Sequence, residues 1–236
     1  MNKTILKKVK EKKELGGIDD YFILDIIKNY FRKNGIANDR EMGEKEIKII
    51  VKDVRNELRK ASGQFNLVTK NEREENYLEI KKIISELEVN RILDLGCGLN
   101  PLFLADKNYE YYAYDINKNY IDKINNFFIE KNINGGAEIY DLKKIERRDM
   151  PFADICLILK VFDVIEKKGH KLAEKIINNI NFRYLLVSFS SKTLSGRPMR
   201  HPQRGWIERL LIRLNYKFKI YKMKKEIFYL AEKKEG

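Results

Sequence analysis

The sequence predicts an α/β fold: a mostly parallel sheet, closed by an antiparallel terminal hairpin strand and preceded by an all-helical domain. Three observations carry that prediction. The first 90 residues contain no proline, and their apolar positions recur with helical spacing. From Asn90 onward, short apolar runs alternate with amphipathic ones, as in parallel strands joined by right-handed crossovers. Near the end two β-patterned runs follow one another with no helix between them, which marks a hairpin.

Each element has its own warrant. Ile18–Asn34 places apolar residues at 18, 22, 23, 26, 27, 30 and 31, with Asp19 and Asp20 in the first turn and Gly35 past the end. Glu44–Lys60 repeats the pattern through Ile47, Ile50, Val51, Val54 and Leu58, and carries Arg55, Arg59 and Lys60 on its polar side. Asn71–Leu87 is a third helix, built on Tyr77, Leu78, Ile80, Ile83 and Ile84. Residues 1–88 therefore read as a helical domain and 89–236 as the sheet domain. Arg91–Leu95 is a buried strand that runs into Gly96-Cys97-Gly98. Strands follow at Tyr111–Ile116, Ala137–Leu142, Ala153–Leu159 and Tyr184–Phe189, with helices over Tyr120–Lys131 and Gly169–Ile180. A helix over Trp206–Leu214 leads to the hairpin strands Phe218–Met223 and Ile227–Ala231.

Composition narrows the function. The 236 residues carry 48 Lys+Arg against 35 Asp+Glu, a net charge of +13, and 43% are hydrophobic, enough for a real core. Two cysteines supply no disulfide framework and suit a reducing compartment. No apolar run is long enough to span a membrane. Met1–Lys13 holds six lysines without the apolar stretch of a secretory signal, so a cytoplasmic, monomeric protein with no membrane association is expected. The charge is localised: residues 182–225 hold 12 basic side chains and one acid, Glu208. A solvated lysine-rich surface is one reading of such clustering; contact with a polyanion is the other.

The chemistry gathers at the first strand's exit, Asp94-Leu95-Gly96-Cys97-Gly98-Leu99-Asn100-Pro101. Glycines let the backbone turn sharply and approach a ligand. A G-x-G pair alone is shared by tight turns and cofactor loops, and Pro101 stands where a dinucleotide fingerprint has its third glycine. Asp115 closes the second strand 21 residues after Asp94, placed to accept from both hydroxyls of a ribose, and Asp141 follows the third strand, within reach of an adenine amino group. Helix capping explains any one of these aspartates. Three acids at consecutive strand ends form the pattern of S-adenosylmethionine methyltransferases.

The resemblance extends beyond that class. Leu93-Asp94-Leu95-Gly96-Cys97-Gly98-Leu99-Asn100-Pro101-Leu102 closely resembles motif I of the aminoglycoside-resistance 16S rRNA guanine-N7 methyltransferases. Thr69-Lys70-Asn71-Glu72-Arg73 is similar to that family's Ser-Thr-Lys-Glu-Arg box, and Arg55-Asn56-Glu57-Leu58 with Gly63-Gln64-Phe65 to the close of its helical RNA-binding domain. Val187–Arg197 resembles Val-Ser-Phe-Pro-Thr-Arg-Ser-Leu-Gly-Gly-Arg, and Trp206-Ile207-Glu208 the Trp-Phe-Glu that follows. The likeness runs in order over about residues 45–235.

The resemblance implies a Rossmann-like fold, S-adenosylmethionine as cofactor, and rRNA, within the assembled small ribosomal subunit, as partner. Arg73 would pair with the methionine carboxylate; Asp94, Gly96, Gly98 and Asn100 would hold the methionine portion. Asp115 with Ile116 would take the ribose, and Asp141 with Leu142 the adenine. Lys160, Val161 and Ser188 would border the methyl group and the target base. Read by itself, Arg73 equally suits a helix-surface ion pair. Ser190-Ser191-Lys192-Thr193 replaces the family's Pro-Thr-Arg-Ser, Ser195 replaces a glycine, and Asp163 a proline, all on the target side. A tRNA or another rRNA position is therefore an alternative substrate, and a non-catalytic RNA-binding or assembly factor a further one.

Guanine N7 has a lone pair and no proton, so its methylation asks for alignment rather than a general base. No metal is expected, since neither His170 nor His201 has ligand spacing, and Cys97 and Cys156 read as small buried residues. Lys7 and Lys8 near the start, Arg55, Arg59 and Lys60, and Lys192, Arg197, Arg200 and Arg204 in the loop after the fifth strand are the candidate RNA contacts. Trp206 suits either base stacking or helix packing.

Overall fold

A computed structural model describes residues 2–37, 40, 42–62, 70–146, 150–166, 169–193, 197–223 and 225–233; the side chains of 2, 60–62 and 70–74 lie outside this description. Three helices come first: α1 (Asn2–Lys10), α2 (Asp20–Lys33) and α3 (Glu44–Ser62). Helix α1 was hidden in the lysine-rich start, yet its Ile5 and Val9, one turn apart, are fully buried against Ile23, Ile27, Val54 and Leu58. Asp19 caps α2 by accepting from the N–H groups of Tyr21 (3.0 Å) and Phe22 (3.2 Å).

The next helix, α4 (Lys70–Ser85), packs differently. Its Ile80, Ile83 and Ile84 join a cluster with Ile92, Tyr111 and Ile155 of the sheet, not the core of the first three helices. Then come β1 (Arg91–Leu95), α5 (Pro101–Leu104), β2 (Glu110–Asp115), α6 (Lys118–Lys131), β3 (Gly135–Ile139), β4 (Ala153–Leu159), α7 (Phe162–Ile165), α8 (Lys171–Asn179), β5 (Phe182–Ser190), α9 (Gly205–Arg213), β6 (Tyr216–Lys222) and β7 (Glu226–Lys233). The seven strands form one sheet in the order β3-β2-β1-β4-β5-β7-β6. Pairing is parallel from β3 to β5, and β7 runs antiparallel to both of its neighbours. Apolar clusters cover both faces, one with α8 and α9, the other with α4 and α6.

The third strand ends earlier than the sequence pattern suggests, at Ile139. Asp141 accepts from Lys143 N–H at 3.0 Å and caps a short 3₁₀ turn over Leu142–Lys144, which carries the chain away from the sheet. The reversal of strand order falls between β1 and β4, and both strands deliver their carboxyl ends to the same edge. That edge is where ligands settle in open parallel sheets.

The helical unit is latched onto this edge through backbone. Asp19 N–H donates to Ile116 O at 2.9 Å, Lys118 N–H donates to Gly17 O at 2.8 Å, and Ile18 bridges Asn117. A Cβ at position 17 would fall 2.4 Å from Asn119 Nδ2 and 2.5 Å from Asn117 Oδ1, so a larger residue would have to push these side chains aside.

Candidate functional site

Gly96 and Gly98 both take left-handed conformations, φ 65° and 54°, and turn the chain over the carboxyl end of β1. A Cβ on Gly96 would meet Val161 Cγ2 at 2.6 Å, so the turn is held against the residue that follows β4. Below the loop Asp94 is fully buried; one carboxylate oxygen accepts from Tyr111 Oη at 2.8 Å, and the other has no hydrogen-bond partner among the described residues. Burial raises its pKa to about 7, partly opposed by the Tyr111 bond and by the side chain of Asn100. Asn100 is buried beside it. Its Oδ1 accepts from Tyr77 Oη at 2.9 Å, and Asp94 is the neighbour on which its side chain acts.

Asp115 reaches the mouth of the loop from β2. Its oxygens accept from Gly98 N–H (2.9 Å) and Asn117 N–H (2.8 Å), an arrangement that fixes the carboxylate and leaves each oxygen a further lone pair. Burial pushes its pKa up, and these backbone bonds offset part of the rise. Asp141 Oδ2, beyond its capping partner Oδ1, is buried and unpartnered. Gly96, Gly98, Asp115, Ile116, Asp141 and Leu142 all line one cavity of about 620 Å³, and Val161 lies at its side. A further wall comes from the helical unit, through Phe22, Ile26 and Tyr30 of α2 and Asn56 of α3. Sequence reasoning assigned that unit to RNA and missed this wall. Lys143 Nζ lies 5.0 Å from the Phe22 ring, across the junction.

The other predicted residues gather farther along the edge, after β4 and β5. Lys160 takes a left-handed φ of 59°, and its N–H donates to Ser188 O at 3.0 Å. Lys160 Nζ stands 3.4 Å from Glu226 Oε2, which also accepts from Asn76 Nδ2 at 2.9 Å, while Ser188 Oγ donates to Glu226 Oε1. Glu226 is buried at the start of β7. Neither it nor Asn76 was singled out beforehand; the one available signal was an acid closing the Lys224-Lys225 run.

Among the expected RNA contacts, Arg204 is spent inside the fold. Its guanidinium bonds Asp163 Oδ1 at 3.1 Å and Ser190 O at 3.2 Å, and packs over the Phe189 ring. Asp163, the residue that replaced the expected proline, thus ties the loop after β5 to α7. Arg55 likewise turns inward to the carbonyls of Lys8 and Val9 and to Glu11, and Arg59 bonds Glu14 at 2.8 Å. Lys7 is exposed and Lys8 half-buried; Lys192 is half-buried and Arg197 and Arg200 are exposed. Lys8, Lys12, Lys48 and Lys52 border a second groove of about 310 Å³ between α1 and α3. The Arg73 and Lys60 side chains, residues 63–65 and Thr69 lie outside the described residues. Trp206 packs edge-on to Phe162 and Phe189 and stacks on His170, so it serves the core. Cys97 and Cys156 are buried with thiols pushed well up by burial, unsuited to nucleophilic work. No cluster of three metal-ligating side chains occurs among the described residues, and no described helix is long and apolar enough to cross a membrane.

A parallel sheet of this order with its seventh strand reversed, a glycine loop after β1 and acids ending β2 and following β3, defines the Rossmann-like methyltransferase class. Residues 71–229 match the ribosomal RNA methyltransferase (FmrO) family, and the chain belongs to it. It is 28% identical over 129 residues to the 16S rRNA (guanine(1405)-N(7))-methyltransferase of Serratia marcescens, covering 53% of this chain and 51% of that protein. It is 30% identical over 113 residues to the same-named enzyme of Micromonospora rosea, covering 46% and 40%. The chain thus spans about half the length of the curated relatives it matches. Two solved folds extend over nearly the whole chain. The 16S rRNA methyltransferase RmtF, in complex with S-adenosyl-L-homocysteine, superposes with a TM-score of 0.74 at 17% identity over 99% of this chain and 98% of that one. The 16S rRNA methylase RmtB gives 0.70 at 16% identity over 99% of both.

Proposed function

We propose that the chain is an S-adenosylmethionine-dependent methyltransferase that modifies N7 of a guanine in the decoding site of 16S rRNA. The observation that carries the cofactor is the cavity wall itself. Asp115 is held with free acceptor capacity on both oxygens, and Asp141 Oδ2 is buried without a partner. A ribose diol and an exocyclic amine are donors of matching number. At the base of the loop Asp94 and Asn100, buried side by side, would support the backbone that holds the methionine portion. Family membership and the relatives' named reaction support the substrate.

When bound, S-adenosylmethionine supplies an activated methyl group. The chain's part is placement. The glycine loop, backed by Val161, holds the donor end; Lys160 and Ser188, braced by Glu226, form the wall against which the target base would be aligned. Guanine N7 carries no proton, so no side chain has to remove one, and exclusion of water with alignment is sufficient.

The protein's RNA contacts are proposed at Lys7, Lys8, Lys192, Arg197 and Arg200. Helices α1–α4 precede the sheet, but the packing of α4 on the sheet supports ending the RNA-binding unit with α3. The substitutions over Ser190–Thr193 lie at the target side, so a tRNA or another rRNA position is the second reading. The test incubates purified protein with labelled cofactor and either 30S subunits or bulk tRNA. N7-methylguanosine in 16S rRNA is expected; label in tRNA alone would transfer the assignment to the second reading, and label in neither would remove the enzyme.

A further inference from the structure

The basic stretch 182–225 divides once its partners are known. Arg183, Arg204, Arg213 and Lys217 are ion-paired with Glu88, Asp163, Glu174 and Glu232. Lys192, Arg197, Arg200 and Lys222 have no ion-pair partner among the described residues, and three of them are exposed. Strand pairing brings Lys222 to the others. It sits opposite Ile227, which sits opposite Phe189, so Lys222 lies two strands, roughly 10 Å, from the end of β5 and on the same sheet face. The hairpin tip is joined to the loop after β5 by the bond from Ser191 N–H to Lys225 O at 2.9 Å, and Met199 N–H returns to Ser191 O at 2.8 Å.

Three described acids near the patch are already engaged. Glu226 is buried with Lys160, Ser188 and Asn76; Glu208 bonds Tyr229 Oη; Asp163 is held by Arg204. Like charges gathered without counter-charges repel, and an external polyanion relieves that cost. The loop follows β5 and Lys222 ends β6, so the patch lies at the same carboxyl edge of the sheet that carries Lys160 and Ser188.

We infer that the β6–β7 hairpin tip, through Lys222, and the loop after β5, through Lys192, Arg197 and Arg200, form one phosphate-binding surface for the RNA substrate. The inference rests on the RNA reading above and adds the carboxyl-terminal hairpin to the contact. Lys219 provides the control: it is exposed on the same strand but faces the opposite side of the sheet, with the same loss of charge on substitution. Binding of 30S subunits to wild-type, Lys222→Gln and Lys219→Gln protein is measured against KCl concentration, with cofactor calorimetry alongside. Lys222→Gln is expected to weaken binding and to flatten the log–log salt slope by about 0.7–0.9, the loss of one phosphate contact, while Lys219→Gln matches wild type. Cofactor affinity should be equal in all three. Identical behaviour of the two variants would overturn the surface and leave the RNA reading standing. Wild-type protein that binds anionic phosphatidylserine vesicles but neither 30S subunits nor tRNA would overturn both.

Discussion

The two halves of the sheet edge treat buried charge in opposite ways. On the β1–β3 side, Asp141 keeps a buried oxygen without a partner among the described residues, and the second oxygen of Asp94 has only the Asn100 side chain to answer it. On the β4–β5–β7 side, Glu226, Lys160, Ser188 and Asn76 bond one another, and Asp163 is matched by Arg204. The unmet atom there, among the described residues, is a neutral-capable ring nitrogen, His170 Nδ1, rather than a carboxylate oxygen. An unmet buried polar atom costs free energy in the isolated protein and is recovered only by a ligand that supplies the missing group. A closed network gains nothing from a ligand but holds its members in place. The first half is thus built to be completed, and the second is built beforehand, as a wall should be.

The largest expected effect tests the first half. Asp115→Asn leaves one acceptor oxygen where two N–H groups and a ligand diol compete. Cofactor affinity should fall by about a hundredfold or more, since hydrogen bonds to a charged acceptor contribute roughly 1.5–3 kcal/mol each. Calorimetry reads this directly, and unchanged affinity would mean the cavity takes its ligand elsewhere.

Next is Glu226→Ala, which removes the carboxylate 3.4 Å from the Lys160 ammonium, only 19% exposed, and the acceptor shared by Asn76 and Ser188. A loss of about 3 kcal/mol of stability is expected, at the low end for a broken buried pair because of that residual exposure. Glu226→Gln keeps an acceptor for Ser188 and should retain more stability. If the halves are separate, both variants bind cofactor with wild-type affinity and lose methyl transfer, alanine more than glutamine. Cofactor affinity falling as far as in Asp115→Asn would break the comparison.

The two halves were also unequally legible in the sequence. Asp94, Gly96, Gly98 and Asp115 follow one another within β1, its turn and β2, where local pattern fixes geometry, so the sequence alone places them together. Glu226 and Asn76 are 150 residues apart and meet only because β7 inserts between β5 and β6. No local period announces such a contact. The same holds for Phe22 and Tyr30, whose helix reads simply as amphipathic until the Gly17–Lys118 latch brings it over the cavity. Arg204 and Arg55 misled for the converse reason: charge was visible, but the carboxylates and carbonyls that consume it come from distant segments.

The smallest effect is a pH dependence that sharpens the meaning of an unmet acceptor. Asp94 titrates at about 7 in the folded protein, raised by burial, against an ordinary value near 3.8. Below the ordinary value both the folded and unfolded states hold the proton, and the group is silent. Between there and about 7 the folded state keeps a proton that the unfolded state has released. Stability therefore declines as pH rises through that window, by about 1.4 kcal/mol per unit at most. Asp94→Asn is neutral at every pH and escapes the decline. The difference in melting temperature, variant minus wild type in cofactor-free protein, should be near zero at pH 4, grow in the variant's favour toward pH 7 and level off above it. Glu14 and Glu232, whose carboxyls are held low by Arg59 and Lys217, act in the opposite sense but are common to both proteins and cancel in the difference. A difference that stays flat across the window would mean Asp94 is already ionised and has a counter-charge, and the β1–β3 half would then resemble its neighbour more than its open oxygens indicate.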